Sequence, residues 1–292
     1  MTTTNQHYVT QSYLRLFASH LPSKTRKKHQ ARIYCFQKED GSVRERRIEN
    51  IACDDFFYDY VEIDDEAVSL EEMFGSIETL FMPSVKEVCR TQSIAAMQQY
   101  RRDLAYLIAS QMMRTLAFRI LQEQIWSLLN AIDLRSGKPT LEPTDNIIKM
   151  AHGRFIKDYL TPSASILYHK RWMLLHNVTS ELFYTSDNPV VMFIRDPSVL
   201  HAITGLQSPG IRIYLPLNPR TALLLCDSAE LPYERSEVIT KTTHVGAFNQ
   251  QQVVGAERWV FSQSGDFSTA KALLIIEPKV ARRHRERIQL VS

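Results

Sequence analysis

At 292 residues, 44% hydrophobic and 23% charged, the chain is long enough to bury a substantial core and has the balance of an ordinary globular protein, which excludes a disordered or fibrous one. Its formal net charge of +3 is too small to imply a polyanion partner. Its longest apolar runs, such as Leu223–Cys226 and Leu273–Ile276, fall far short of the roughly 20 residues that cross a bilayer, so no membrane span is expected.

The polar opening Met1–His7 lacks the apolar stretch of a secretory signal, and a cytoplasmic location is expected. Cys35, Cys53, Cys89 and Cys226 are scattered without metal-site or disulfide spacing and read as reduced, mostly buried thiols. Positive charge is uneven along the chain. Lys24, Arg26, Lys27, Lys28 and Arg32 form one cluster, Arg44, Arg46 and Arg47 a second, and Arg282, Arg283, Arg285 and Arg287 with His284 a third.

In chain order, Arg32–Gln37 and Ser42–Ile48 flank the turn signal Lys38–Gly41 and predict a hairpin. Ser69 followed by Glu72 has the spacing of a capping box, predicting a helix from Ser69 to about Phe81, with Pro83 either kinking it or starting its continuation through Arg90. Gln98–Ile132 contains neither Gly nor Pro and is rich in helix formers. It reads as one long helix, and Leu104, Leu107, Ile108, Met112, Leu116, Leu121, Ile125, Leu128 and Leu129 leave so little of its surface polar that it should be buried at the centre. Arg135–Thr144 is a loop and Asp145–Tyr159 another helix.

Beyond Arg171, the runs Trp172–Val178, Leu182–Tyr184, Val190–Ile194, Ile211–Leu215 and Ala222–Cys226 read as short strands. Val245–Gly255 is expected to be helical and Glu257–Ser262 a strand; Ser268–Ile276 fits either. Helices first and strands later predict an α+β fold: a helical N-terminal half built on one long central helix, packed against a mainly antiparallel sheet from the C-terminal half. The length suits a single domain over 1–292, with a helical lobe at about 65–165, a sheet-containing lobe at about 170–280 and the segment 1–60 packing across both.

The opening Asn5-Gln6-His7-Tyr8-Val9-Thr10-Gln11-Ser12-Tyr13-Leu14-Arg15-Leu16-Phe17 resembles the N-terminal signature of the domain-of-unknown-function 4238 family. So do Asp54–Tyr58, the helical Gln111–Thr115, the turn Tyr184–Val190, and the late Asn249 and Arg258. Thr10 stands where proline is usual, and Gln6 where many relatives carry a second histidine. The resemblance implies a mainly bacterial, intracellular protein and supplies no mechanism.

Several side chains are candidates for chemistry. His7, beside Tyr8 and ahead of Tyr13, suits a general base or a hydrogen bond that ties the first segment to the core. Arg15 suits a phosphate or carboxylate, or a pairing with Asp54, Asp55 or Asp59. Gln111, Arg114 and Thr115 give a polar stripe on an otherwise apolar helix. A buried guanidinium there needs a partner, for which Glu78 and Asp187 are the protein candidates. Thr185-Ser186-Asp187-Asn188-Pro189 suits a site on a sheet loop and equally suits ordinary turn chemistry. Asn249 and Arg258 enter through the resemblance alone.

No GxGxxG, Walker A, HExxH or GxSxG pattern occurs, His152 and His169 lack metal-ligand spacing, and Trp126 and Trp172 read as core. Two functions fit these residues. One is a hydrolase acting on a phosphate-containing substrate such as a nucleic acid, with His7 as base, Arg15 and Arg114 stabilising negative charge, and Asp187 with Glu78 orienting groups or holding a divalent ion. The other is a noncatalytic module that binds nucleic acid or an acidic protein through its basic clusters, with the polar centre serving as a structural network.

Overall fold

The computed structural model describes residues 4–21, 30–136, 143–194 and 205–282. The basic residues Lys24, Arg26, Lys27, Lys28, Arg283, His284, Arg285 and Arg287, with Gly137 and Pro139, lie outside the described residues.

The architecture is α+β. Strand β1 (Asn5–His7) and helix α1 (Gln11–Leu14) precede the expected hairpin of β2 (Arg32–Gln37) and β3 (Val43–Arg47), whose turn takes Gly41 to φ +69°. Short strands β4 (Cys53–Asp55), β5 (Asp59–Val61) and β6 (Ala67–Ser69) follow. β1 pairs antiparallel with β4. That ribbon is bracketed by Ala52 and Phe56, both left-handed at φ 51° and 49°, whose backbones are held by Tyr8 N to Ala52 O (2.9 Å) and Phe56 N to Thr4 O (2.8 Å).

Helix α2 (Glu71–Thr91) starts later than the capping-box spacing predicts: Ser69 ends β6, and its hydroxyl accepts from Glu71 N at 3.5 Å, while Leu70 stands at the cap. Pro83 lies inside α2, which continues through it.

The single long helix expected over Gln98–Ile132 is instead α3 (Ile94–Gln99), α4 (Arg101–Met113) and α5 (Leu116–Arg135). The break at Arg114-Thr115 has a physical cause. Thr115 is extended (φ −80°, ψ 158°), and its hydroxyl accepts from Phe118 N at 3.3 Å as the N-cap of α5. The carbonyls that a helix end leaves open are taken up from outside: Tyr58 OH donates to Arg114 O (2.7 Å), and His152 Nε2 to Met113 O (2.7 Å). Burial follows the break. α4 is buried over most of its length, whereas Leu121, Ile125, Leu128 and Leu129 of α5 are exposed, contrary to the central burial expected of them.

Helix α6 (Asp145–His169) runs a further ten residues beyond the expected end at Tyr159, through Pro162, because it packs along α4 and buries Leu160, Ala164 and Leu167. Gly153 lets the ring of Tyr60 approach its backbone; a Cβ there would overlap the ring.

The remaining strands are β7 (Arg171–Asn177), β8 (Thr185–Ser186), β9 (Val191–Ile194), β10 (Ile211–Asn218), β11 (Thr221–Cys226), β12 (Arg235–Ile239) and β13 (Trp259–Ser262), with helices α7 (Thr242–Gly255) and α8 (Ser268–Ile276) around β13. Leu182–Tyr184 precedes a strand rather than forming one.

One sheet has the order β12-β7-β11-β10-β9, antiparallel except for the β12–β7 pair; the other, β3-β2-β13-β8, joins the early hairpin to the late chain. The first sheet is covered on both faces. Trp172, Leu174, Ile213, Leu215, Leu223 and Leu225 face the helices and the N-terminal segment, while Met173, Leu175, Tyr214, Ala222 and Leu224 face the side of α7. Double burial explains why these strands read as unbroken apolar runs. Among the described residues no helix is long and apolar enough to cross a membrane, and all four cysteines are free, Cys35 and Cys226 being buried.

Candidate functional site

The polar stripe of the sequence becomes the seam between the N-terminal segment and α4. Gln111 Nε2 donates to Tyr8 O (3.0 Å) and its Oε1 accepts from Thr10 N (3.4 Å); Thr10 in turn caps α1 by accepting from Tyr13 N (3.1 Å). Gln6 is buried, accepting from Tyr58 N and donating to Asp59 Oδ1, both at 2.6 Å. It therefore locks the acidic-aromatic turn in place.

Arg114 is buried, and each donor nitrogen of its guanidinium is committed. Nη1 meets Glu78 Oε1 at 2.9 Å, Nη2 meets the backbone oxygen of His7 at 2.5 Å, and Nε meets the Tyr58 hydroxyl at 3.4 Å, with the ring of Phe74 4.3 Å from Cζ. Tyr58 and Glu78 favour its charged form and offset the cost of burial. Glu78 is thus the protein partner of Arg114; Asp187 is not.

His7, Gln11 and Arg15 cover this ion pair from the outside. Arg15 Nη2 donates to Gln11 Oε1 (2.7 Å), and Gln11 Nε2 lies 3.4 Å from His7 Nδ1. Arg15 pairs with none of Asp54, Asp55 and Asp59, because α1 turns it towards Gln11 and the field of Glu78. His7 Nε2 and Arg15 Nε are buried atoms without a hydrogen-bond partner of ordinary geometry. Desolvation, and then the Arg114 charge, lower the His7 pKa, against the opposing pull of Glu78 and of the Glu49 and Ile48 carbonyls. The imidazole is neutral near pH 7.

Asp187 lies elsewhere. Its Oδ1 accepts from Glu257 N (2.8 Å) and its Oδ2 from Arg258 N (2.7 Å) and Trp259 N (2.9 Å), so the carboxylate pins the start of β13. Burial raises its pKa, opposed by those three amides and by Lys38. Hydrogen bonds link His7, Arg15 and Arg114 through Gln11 and the His7 backbone oxygen, whereas those of Asp187 go to the backbone at the start of β13, so no hydrogen bond joins this carboxylate to the other three. The shared divalent ion expected of Asp187 and Glu78 fails on geometry, since Glu78 is engaged by Arg114 and Ser12 (3.1 Å). Among the described residues no group of three His, Cys, Asp or Glu side chains is arranged to hold a metal ion.

The other candidates complete the same framework. Asn188 Nδ2 donates to Gly255 O (3.0 Å) and its Oδ1 faces the Thr115 hydroxyl (3.4 Å), joining the helix break to the sheet turn. Asn249 accepts from Tyr184 N (2.8 Å) and donates to Leu182 O (2.9 Å) and Glu181 Oε1 (3.0 Å). Tyr13 OH donates to Pro216 O (2.6 Å) beside Thr185 (2.8 Å). The buried Tyr8 phenol feels Asp187, Asp54 and Arg258, and burial holds its pKa well above the usual value.

Arg258 borders open space. A cavity of about 480 Å³ lies where β2 ends and β13 begins, lined by Gln37, Lys38, Glu257, Arg258, Trp259 and Arg282 among others. Arg258 Nε is buried without a hydrogen-bond partner. Lys38 is buried with Nζ on Ala256 O (2.5 Å), and the Arg46 guanidinium lies 4.9 Å from the centre of the Trp259 ring. Members of the second and third basic clusters thus reach one place. The sequence marks Arg46 and Arg282 only as charge runs and Lys38 only as a turn residue; their meeting depends on β13 pairing with β2.

No curated protein and no solved structure gives a significant match to the chain. The family described as "Protein of unknown function (DUF4238)" matches residues 5–266, almost the whole described fold including both polar networks, and the chain belongs to that family.

Proposed function

We propose that this chain is a binding module for a phosphate-bearing ligand, a single-stranded nucleic acid being the form that suits the surface best, and that its polar centre is a structural network. The observation that carries this reading is the cavity at Arg258: Lys38, Arg258 and Arg282 line about 480 Å³ together with Glu39, Glu257 and Trp259, and the Arg46 guanidinium lies 4.9 Å from the centre of the Trp259 ring. Cations interleaved with an aromatic ring suit a single strand, whose phosphates and exposed bases call for both, and the volume accommodates a nucleotide. By contrast, the Arg114 nitrogens and both Asp187 oxygens already serve the protein's own groups.

Anisotropy titrations of labelled single-stranded RNA and DNA test it. Binding is expected to weaken steeply with salt, and Arg282→Ala is expected to weaken it across sequences and to lower the salt slope by about one. No binding at low salt would overturn the reading.

A second reading, hydrolysis of a phosphate ester, is favoured by the neutral His7 ring, whose Nδ1 lies 3.4 Å from Gln11 Nε2, the same side chain whose Oε1 accepts from Arg15 Nη2 at 2.7 Å. There His7 would take a proton from water and Arg15 would stabilise the charge that develops on phosphate. Incubation with RNA and DNA, with and without Mg²⁺ or Mn²⁺, would show cleavage that His7→Ala abolishes; intact substrate in every condition would exclude it.

A further inference from the structure

Helix α5 is amphipathic in the opposite sense from a helix that packs only on its own chain. Its half-buried side carries Glu123, Trp126, Asn130 and Asp133, while Leu121, Ile125, Leu128, Leu129 and Ile132 are between 45% and 57% exposed. Single exposed leucines are ordinary on a protein surface, whereas a contiguous stripe of large apolar side chains marks a contact. Leu121, Ile125, Leu128 and Ile132 recur at spacings of four, three and four residues, the seam of a coiled coil.

We infer that α5 pairs antiparallel with α5 of a second copy of this chain, about a two-fold axis between Ile125 and Leu128. In that register Ile125 meets the partner's Leu128, and Leu121 meets the partner's Ile132, so one patch serves both copies, as a two-fold contact requires. Gln122, Gln124 and Ala131 flank the seam without charge. Self-pairing therefore sets no like charges against each other, and a foreign charged helix would find no counter-ions. Antiparallel pairing also opposes the two helix dipoles.

At the Leu121 end, the seam runs into a cavity of about 280 Å³ lined by Ala117, Val191, Met192 and Val254, which extends the apolar surface available to the second copy. Five half-exposed side chains per copy, at roughly 100 Å² each, would remove on the order of 1,000 Å² from water, the size at which a specific interface begins.

Sedimentation of the full chain at micromolar concentration is expected to show a dimer, and the variant carrying Ile125→Glu and Leu128→Glu a monomer with unchanged circular dichroism. A second measurement stands if that variant fails to fold. An equimolar mixture of Ile125→Cys and Leu128→Cys chains is expected to form a disulfide-linked heterodimer on mild oxidation, while Val178→Cys, exposed elsewhere on the surface, is not. A monomeric wild type, a dimer that survives both glutamates, or no cross-link in the mixture would each overturn the inference.

Discussion

The guanidinium of Arg114 donates to the backbone oxygen of His7 at 2.5 Å, so the residue that opens the gap between α4 and α5 also holds the first strand of the chain. Removing one partner of a buried charged pair leaves the other unpaired. Arg114→Ala is expected to destabilise the fold by about 3–5 kcal/mol, read from urea unfolding. Glu78→Gln strands the buried guanidinium without its counter-charge and is expected to destabilise as well, by less than Arg114→Ala because the amide oxygen can still accept from Nη1 and the bonds to His7 O and Tyr58 remain.

His152 is an acid-sensitive point of the fold. Its Nδ1 accepts from Arg119 Nε (3.2 Å) and its Nε2 donates to Met113 O (2.7 Å), which fixes a neutral tautomer; desolvation, then Arg119, lower its pKa to about 3 from 6.5. The unfolded chain takes up the proton first as pH falls. The stabilisation is therefore complete above pH 6.5 and is lost between pH 6.5 and about 3, at up to about 1.4 kcal/mol per pH unit. Unfolding free energy measured across that window should fall less steeply in His152→Gln than in the wild type.

Asp187→Ala leaves three backbone amides without their acceptor, and a loss of about 3 kcal/mol or more is expected. Asp187→Asn keeps one carbonyl acceptor and should recover part of it. Thermal melts of the two variants separate this anchoring role from a catalytic one, in which both would retain wild-type stability.

Gly153→Ala sets a methyl group against the ring of Tyr60 and is expected to cost about 1–3 kcal/mol, although alanine is the better helix former. The companion Tyr60→Leu should relieve most of that cost in a double-mutant cycle.

The hairpin at Arg32–Arg47 and four of the five strands between Arg171 and Cys226, all but the two-residue β8, were legible in the sequence, because turn residues and long apolar runs are local signals. The break at Arg114-Thr115 was not. The donors that replace its helical bonds, Tyr58 and His152, come from distant parts of the chain, while local propensity favours an uninterrupted helix. β12 was missed because Arg235–Ile239 is an edge strand with a mostly polar sequence. For the candidate site, the need of Arg114 for a carboxylate pointed to Glu78, since burial of a charge demands it. Asp187 misled because its partners are backbone amides, which no side-chain pattern reveals, and Lys38 was hidden among turn residues.

The division of labour between two arginines is the most direct test of the account. Arg114→Ala and Arg258→Ala, compared for melting temperature and for affinity towards labelled single-stranded RNA and DNA at fixed salt, should separate cleanly. Arg114→Ala is expected to melt lower and, below its melting point, to bind as the wild type does; Arg258→Ala is expected to melt normally and bind more weakly. A stable Arg114→Ala that loses an activity, or an Arg258→Ala with undiminished affinity, would contradict it.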